Sequence, residues 1–146
     1  MALLSTGANS FDRLGVIVRS NVQPSTLLVV DDDKLLTDTL AIWLEDEGFS
    51  VRRAYDGPQG LAAVNRVSPD LVLADIGLPG LNGVVLGARV REHGVPVVLL
   101  SANGAPPDMP PDTPFLAKPF DLEDIYQLIV KTLAKKKVSA AVSNGH

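Results

Sequence analysis

Cysteine is absent from this chain, which excludes disulfides, thiolate chemistry and cysteine-ligated zinc. Histidine is scarce: His93 and His146 leave little for a histidine metal centre or a Ser-His-Asp triad. Long apolar runs are missing as well. Leu27–Val30 and Val95–Leu100, the latter interrupted by Pro96, fall far below the ~20 residues of a membrane span. Residues 1–24 have neither the basic start nor the apolar core of a secretory signal, so the expectation is a cytoplasmic protein without membrane contact. Basic charge is short where nucleic acid would need it. The net charge of −4 divides into +1 over residues 1–24, −9 over 25–130 and +4 over 131–146, from Lys131, Lys135, Lys136 and Lys137. A body so acidic is ill suited to phosphate backbones, and the Lys135–Lys137 run reads as a solvated helix end, where cations suit the dipole.

What remains is the composition of a soluble globular domain, 46% hydrophobic and 21% charged over 146 residues, enough for one full core and too short for two ordinary domains. Residues 1–24 read as an N-terminal extension; Phe11, Leu14 and Val18 keep helical spacing around Gly15, which leaves an arm and a frayed helix both open. The domain proper spans 25–135, and 136–146 reads as a flexible tail.

Strand and helix signals alternate through that domain. Thr26–Val30 is a β-rich run ending in Asp31-Asp32-Asp33. Leu36, Leu40, Trp43 and Leu44 keep helical period up to Gly48. Phe49–Ala54 alternates like an outer strand, and Gln59–Val67 is helical until Ser68-Pro69. Leu71–Ala74 is a buried strand, followed by a loop to Asn82-Gly83 and a helix over Val84–Glu92. Val97–Leu100 is a further strand ending at Ser101, Phe115–Ala117 a last short one ending at Lys118-Pro119. Asp121 then precedes a final helix with Leu122, Ile125, Leu128, Ile129 and Leu133 on one face. Strands alternating with helices predict βαβ units and a parallel sheet: an α/β, flavodoxin-like, doubly wound fold of five strands.

The chemistry gathers at the strand ends. The run L-V-L-A-D-I-G-L-P-G at Leu71–Gly80 carries four apolar residues into one carboxylate, Asp75, and then into a turn. Such a strand delivers its last side chain to the sheet edge where open α/β folds bind ligands. Asp31 and Asp32 follow the first strand, Ser101 the fourth and Lys118 the fifth. With strands ~4.8 Å apart, three carboxylates, one hydroxyl and one ammonium converge. Clustered carboxylates repel; a divalent cation resolves this, and an all-oxygen donor set suits Mg²⁺ better than zinc. A carboxylate in that company is equipped to attack a phosphoryl group. Asp75 is then the nucleophile, with Asp31 and Asp32 on the metal and the Gly77 carbonyl as a further ligand. Lys118 pairs with one phosphoryl oxygen and Ser101 donates to another.

The segments V-V-D-D-D, L-V-L-A-D-I-G-L-P-G-L-N-G, V-V-L-L-S-A and F-L-A-K-P-F, in that order over about residues 25–135, resemble the CheY-like receiver domain of two-component response regulators. The resemblance implies a sheet order 2-1-3-4-5 and phosphorylation of Asp75 by a histidine kinase or histidine phosphotransfer protein. It also implies Mg²⁺ dependence, self-dephosphorylation and a downstream protein target, in a phosphoacceptor signalling domain rather than an enzyme. Ser101 would move toward the phosphate while Phe115, at the family's aromatic switch position, swings inward, a shift between two populations. Leu35 and Ile42, one heptad apart and off the core stripe of the first helix, would form a kinase-docking face with the Pro119-Phe120 turn. Each has a plainer reading: Asp33 as a helix cap, Ser101 as a turn residue, Phe115 as core, Leu35 and Ile42 as ordinary exposed apolar residues.

The sequence departs from the family in one segment. Ala102–Pro114 holds Pro106, Pro107, Pro110, Pro111 and Pro114, a density no helix interior tolerates, so the family's fourth helix is expected to be missing or reduced. Only a lysine-rich stretch follows the last helix, which fits a stand-alone receiver, monomeric or weakly dimeric. Two other classes compete: a haloacid-dehalogenase-type phosphatase with Asp31 as nucleophile in a D-x-D pair with Asp33, and a phosphate-independent interaction domain. The first leaves the Asp75 motif unexplained and lacks room for that family's cap; the second predicts no Mg²⁺ binding.

Overall fold

The structure is a computed structural model that describes residues 9–11, 17–19 and 23–144, with side chains over 23–136. The sheet contains β1 (Thr26–Val30), β2 (Ser50–Ala54), β3 (Leu71–Asp75), β4 (Val97–Ser101) and β5 (Phe115–Ala117). Its order is β2-β1-β3-β4-β5, every pair parallel, as the resemblance implied. Four helices connect and follow the strands: α1 (Lys34–Asp46), α2 (Gly57–Val67), α3 (Gly83–Glu92) and α4 (Leu122–Asn144).

The apolar runs are continuous because both sheet faces are covered. Leu28, Val30, Val72, Ala74, Val97 and Leu99 point to the core beneath α2 and α3, where Ala63, Val64, Leu86 and Val90 meet them. The alternate residues Leu27, Val29, Leu71, Leu73, Val98 and Leu100 point to the other core, against Leu40 and Leu44 of α1 and Ile125 and Ile129 of α4. β2 lies at the edge and keeps Arg52 and Arg53 exposed, which accounts for its mixed composition.

Helix starts follow local chemistry. The Asp33 carboxylate accepts the Leu36 N–H at 3.1 Å, Asp56 accepts from Gln59 at 2.7 Å and Asn82 from Val85 at 3.0 Å, each satisfying an N–H that the helix leaves free. The Asp56 cap places the start of α2 at Gly57, two residues before the expected Gln59, with Pro58 in its first turn. Gly48, with φ +105°, ends the turn after α1, a conformation that glycine adopts at little cost.

Residues 102–114 contain no helix, as the prolines predicted. Two tetrapeptides of the same form, Pro106-Pro107-Asp108-Met109 and Pro110-Pro111-Asp112-Thr113, each fold as a turn. The Met109 N–H donates to the Pro106 carbonyl at 3.2 Å and the Thr113 N–H to the Pro110 carbonyl at 3.4 Å. Proline stands second in each, where its fixed φ suits a turn. Met109 and Phe115 pack against the core that includes Val97 and Leu99, so this strap covers sheet that a helix would otherwise cover.

The termini add detail. Of the stretch left open between an arm and a frayed helix, Asn9–Phe11 and Ile17–Arg19 form an antiparallel strand pair; the rest of the 1–22 stretch, Leu14 included, lies outside the described residues. The α4 backbone continues to Asn144 instead of ending near 135. The residues after Leu133 include Ala134, three lysines and Ala140-Ala141, which favour helix, and no glycine stands between Leu133 and Gly145. Among the described residues no helix is long and apolar enough to cross a membrane.

Candidate functional site

Each acidic residue of interest is held by the backbone that follows its strand. The Asp31 N–H donates to the Ala54 carbonyl at 3.1 Å, extending the β1–β2 pairing by one residue. The Asp31 carbonyl accepts the Thr37 hydroxyl at 2.8 Å, and its carboxylate Oδ1 accepts the Asp33 N–H at 3.0 Å. Past Asp75, the Ile76 N–H donates to the Leu100 carbonyl at 2.8 Å, so the β3 end keeps its register against β4. The Lys118 N–H donates to the Ser101 carbonyl at 2.8 Å, which ties the β5 end to the β4 end.

These anchors bring the predicted residues to one rim. Lys118 Nζ lies 2.7 Å from Asp31 Oδ2 and 3.1 Å from Asp75 Oδ1. Carboxylate oxygens of Asp31, Asp32 and Asp75 lie within 4.8 Å of one another. Asp31 is 1% exposed, Asp75 8% and Ser101 6%, whereas Asp32 is open to solvent. A hollow of about 330 Å³ opens beside them, bounded by Asp75, Gly77, Ser101, Asn103, Pro106 and Lys118 among others. Gly77 adjoins the Asp75 carboxylate: a Cβ built there would stand 3.5 Å from Asp75 Oδ2.

The charges do not cancel. Three carboxylates face one ammonium, leaving an excess of two negative charges, the charge of a divalent cation. Burial pushes the Asp31 carboxyl above its ordinary 3.8, against the opposing pull of the Lys118 ammonium and the Asp33 N–H, and the Asp75 charge adds to the rise. Burial works to lower the Lys118 ammonium, but its hydrogen bonds to Asp31 and Asp75 outweigh that and leave it above 10.5. The donor set is oxygen only, and it fits Mg²⁺ as the sequence suggested.

The remaining predicted residues lie as follows. The Ser101 hydroxyl accepts the Asn103 N–H at 3.1 Å and lines the same hollow as Asp75. Phe115 opens β5 opposite Leu99 and is half-buried, packed like Met109 against the core that includes Val97 and Leu99. Leu35 and Ile42 project from α1, 79% and 56% exposed. Pro119 is exposed, and Phe120 packs half-buried on the core beneath α1 and α4.

Sequence reasoning passed over four contributors. Thr37 is fully buried and holds the Asp31 carbonyl; its signal was a hydroxyl on the apolar stripe it shares with Leu40 and Leu44. Gly83, read as part of a turn, is the first residue of α3. A Cβ there would collide with the Asp75 carbonyl, so only glycine lets α3 begin directly against the strand end, with the Gly83 N–H on the Ile76 carbonyl at 2.9 Å. Asn103 and Pro106 bring the strap to the mouth of the hollow, which no local pattern announced.

Residues 27–130 match the model of the response regulator receiver domain. The transcriptional regulatory protein GlrR of Escherichia coli is 39% identical over 114 residues, 73% of this chain and 26% of that protein. The DNA-binding response regulator MtrA of Mycolicibacterium paratuberculosis is 48% identical over 78 residues, 53% of this chain and 35% of that protein. The chain therefore spans about a quarter to a third of the length of these relatives. In structure it superposes on a CheY-like receiver domain protein from Methanospirillum hungatei with a TM-score of 0.74, at 24% identity, over 80% of this chain and 98% of the other.

Proposed function

This chain belongs to the response regulator receiver domain family, and from that premise we propose that Asp75 is its phosphoacceptor. The observation that carries the proposal is the pairing of Lys118 with both Asp75 and Asp31 at the lip of a hollow that Asp75 lines. An Asp75 carboxylate oxygen attacks the phosphorus of a phosphohistidine on a kinase or phosphotransfer protein. The new P–O bond forms as the P–N bond breaks, and the imidazole nitrogen keeps the electron pair and takes a proton. Lys118 holds one phosphoryl oxygen in place, and the Ser101 hydroxyl donates to another once it turns from the Asn103 N–H. Asp31, Asp32, Asp75 and the Gly77 carbonyl would hold Mg²⁺, which when bound would supply the positive charge that lets two anions approach.

Downstream, Phe115 is the aromatic switch and a partner protein reads the change. The α1 face with Leu35 and Ile42, together with Pro119 and Phe120, is the docking surface for the phosphodonor. The body, at −9 over 25–130, makes protein contacts rather than nucleic-acid contacts. It acts in the cytoplasm, as a monomer or weak dimer, beside its kinase. Asp31 as a phosphatase nucleophile is disfavoured, because both its carboxylate oxygens already accept hydrogen bonds and it does not border the hollow.

Incubation with acetyl phosphate or phosphoramidate and Mg²⁺ tests the proposal. One acid- and base-labile phosphoryl group per chain is expected on the wild type and none on Asp75→Asn. Equal labelling of the two would overturn it, as would turnover of a generic phosphate ester abolished by Asp31→Asn alone.

A further inference from the structure

At the end of the sheet opposite Asp75, where β4 begins and β5 is about to begin, two hollows adjoin. One, of about 350 Å³, lies between Arg91 and Gly94 after α3, Val95-Pro96 before β4, and Lys135 and Lys136 of α4. The other, of about 210 Å³, is walled by Pro114 of the strap and by Leu128 and Lys131 of α4, and shares Thr132 and Lys135 with the first. Four cations thus surround a floor of Val95, Pro96, Pro114 and Leu128. Among the described residues none of the four forms an ion pair, although acids outnumber bases throughout the body; Asp112 is the one acid on the walls. The Gly94 side is open, since a Cβ there would meet nothing within 4 Å.

We propose that this groove is a docking site for an acidic, partly apolar peptide segment of a partner protein. Unpaired cations around an apolar floor complement a segment whose carboxylates flank an aliphatic side chain: the side chain fills a hollow and the carboxylates reach Arg91, Lys131 and Lys135. Duplex nucleic acid fits less well. Its phosphates track along many cations, whereas here four cations border two shallow, open hollows and the flanking body is acidic. The groove lies away from Asp75, so the inference stands apart from the phosphoacceptor assignment.

Fluorescence anisotropy with a short labelled peptide alternating glutamate and leucine tests it, alongside a lysine–leucine peptide and a labelled DNA duplex. The wild type should bind the glutamate–leucine probe alone, with affinity that falls as salt shortens the screening length below about 8 Å. The double variant Arg91→Glu/Lys135→Glu should bind it roughly tenfold more weakly, since each exposed charge contact is modest, while melting normally and still taking phosphate at Asp75. Binding of the probe unchanged in the double variant would overturn the proposal, as would equal affinity for the duplex. Salt-sensitive dimers that the double variant abolishes would also overturn it, because the occupant would then be the acidic rim of a second copy.

Discussion

At the scale of single residues, the site is a contest between burial and neutralisation. Asp31 is almost fully buried and its carboxyl is raised by that burial, so the folded chain holds the Asp31 proton more tightly than the unfolded chain does. The sign follows from linkage: stability from this group is present below 3.8 and is lost as pH rises through the raised folded value. In metal-free buffer at pH 7, Asp31→Asn should therefore increase unfolding free energy by about 1 kcal/mol, and urea titrations at falling pH should show the gap close. Lys118 has the opposite sense. Its stabilisation is present below 10.5 and is lost only as pH climbs past its raised value. Lys118→Met leaves two carboxylates without their ammonium, and should cost about 1–3 kcal/mol in the same titration. That is less than a fully buried pair would lose, because the Lys118 side chain is 20% exposed. Added Mg²⁺ should recover part of the loss. Asp75 and Lys118 were legible in the sequence because each directly ends an apolar run. Thr37 showed only as a hydroxyl on an apolar stripe, because what it holds is a backbone carbonyl six positions earlier, and no residue type advertises that partner.

At the scale of elements, the strap over 102–114 stands where a helix would otherwise connect β4 to β5. Its paired turns cover the β4–β5 face through one side chain, Met109, packed with Phe115 on the core around Val97 and Leu99. Met109→Ala should lower the denaturant midpoint by an amount equivalent to about 1–2 kcal/mol, at the low end for core truncations because Met109 is only partly buried. If the strap contributed nothing to the fold, the midpoint would not move. The same segment touches both ends of the sheet: Pro106 borders the hollow beside Asp75 and Pro114 the basic groove. The absence of a helix was readable from proline alone, since its missing N–H and fixed φ forbid a helical interior. The turns and the seat of Met109 were not, because irregular backbone is shaped by what it packs against. The start of α2 moved for a similar reason: Asp56 is a competent cap, but only contact with Leu81, which leaves no space for a Cβ at Gly57, shows where the helix meets its neighbours.

For the whole molecule, charge is sorted by pole. The acidic rim sits at the carboxyl ends of the strands and the unpaired cations at the other end. The body repels itself, so the metal-free melting temperature should rise modestly as sodium chloride is added. Millimolar Mg²⁺ should raise it further than sodium chloride of equal ionic strength, by mass action on the folded state. Asp75→Asn should lose most of that extra increment; if it keeps all of it, the ion is not held at this rim. The sequence by itself determined the order of strands and helices and the residues at each strand end. Strands buried on both faces must be written as apolar runs, and the first polar residue after each run has to emerge at the same edge of a parallel sheet. The tertiary structure alone decided which of those residues meet. Lys118 and Asp31 stand 87 positions apart, and whether an ammonium reaches one carboxylate, two or none depends on the register of five strands together. The basic groove is likewise assembled from α3, the strap and α4, three segments whose separate patterns say nothing of one another.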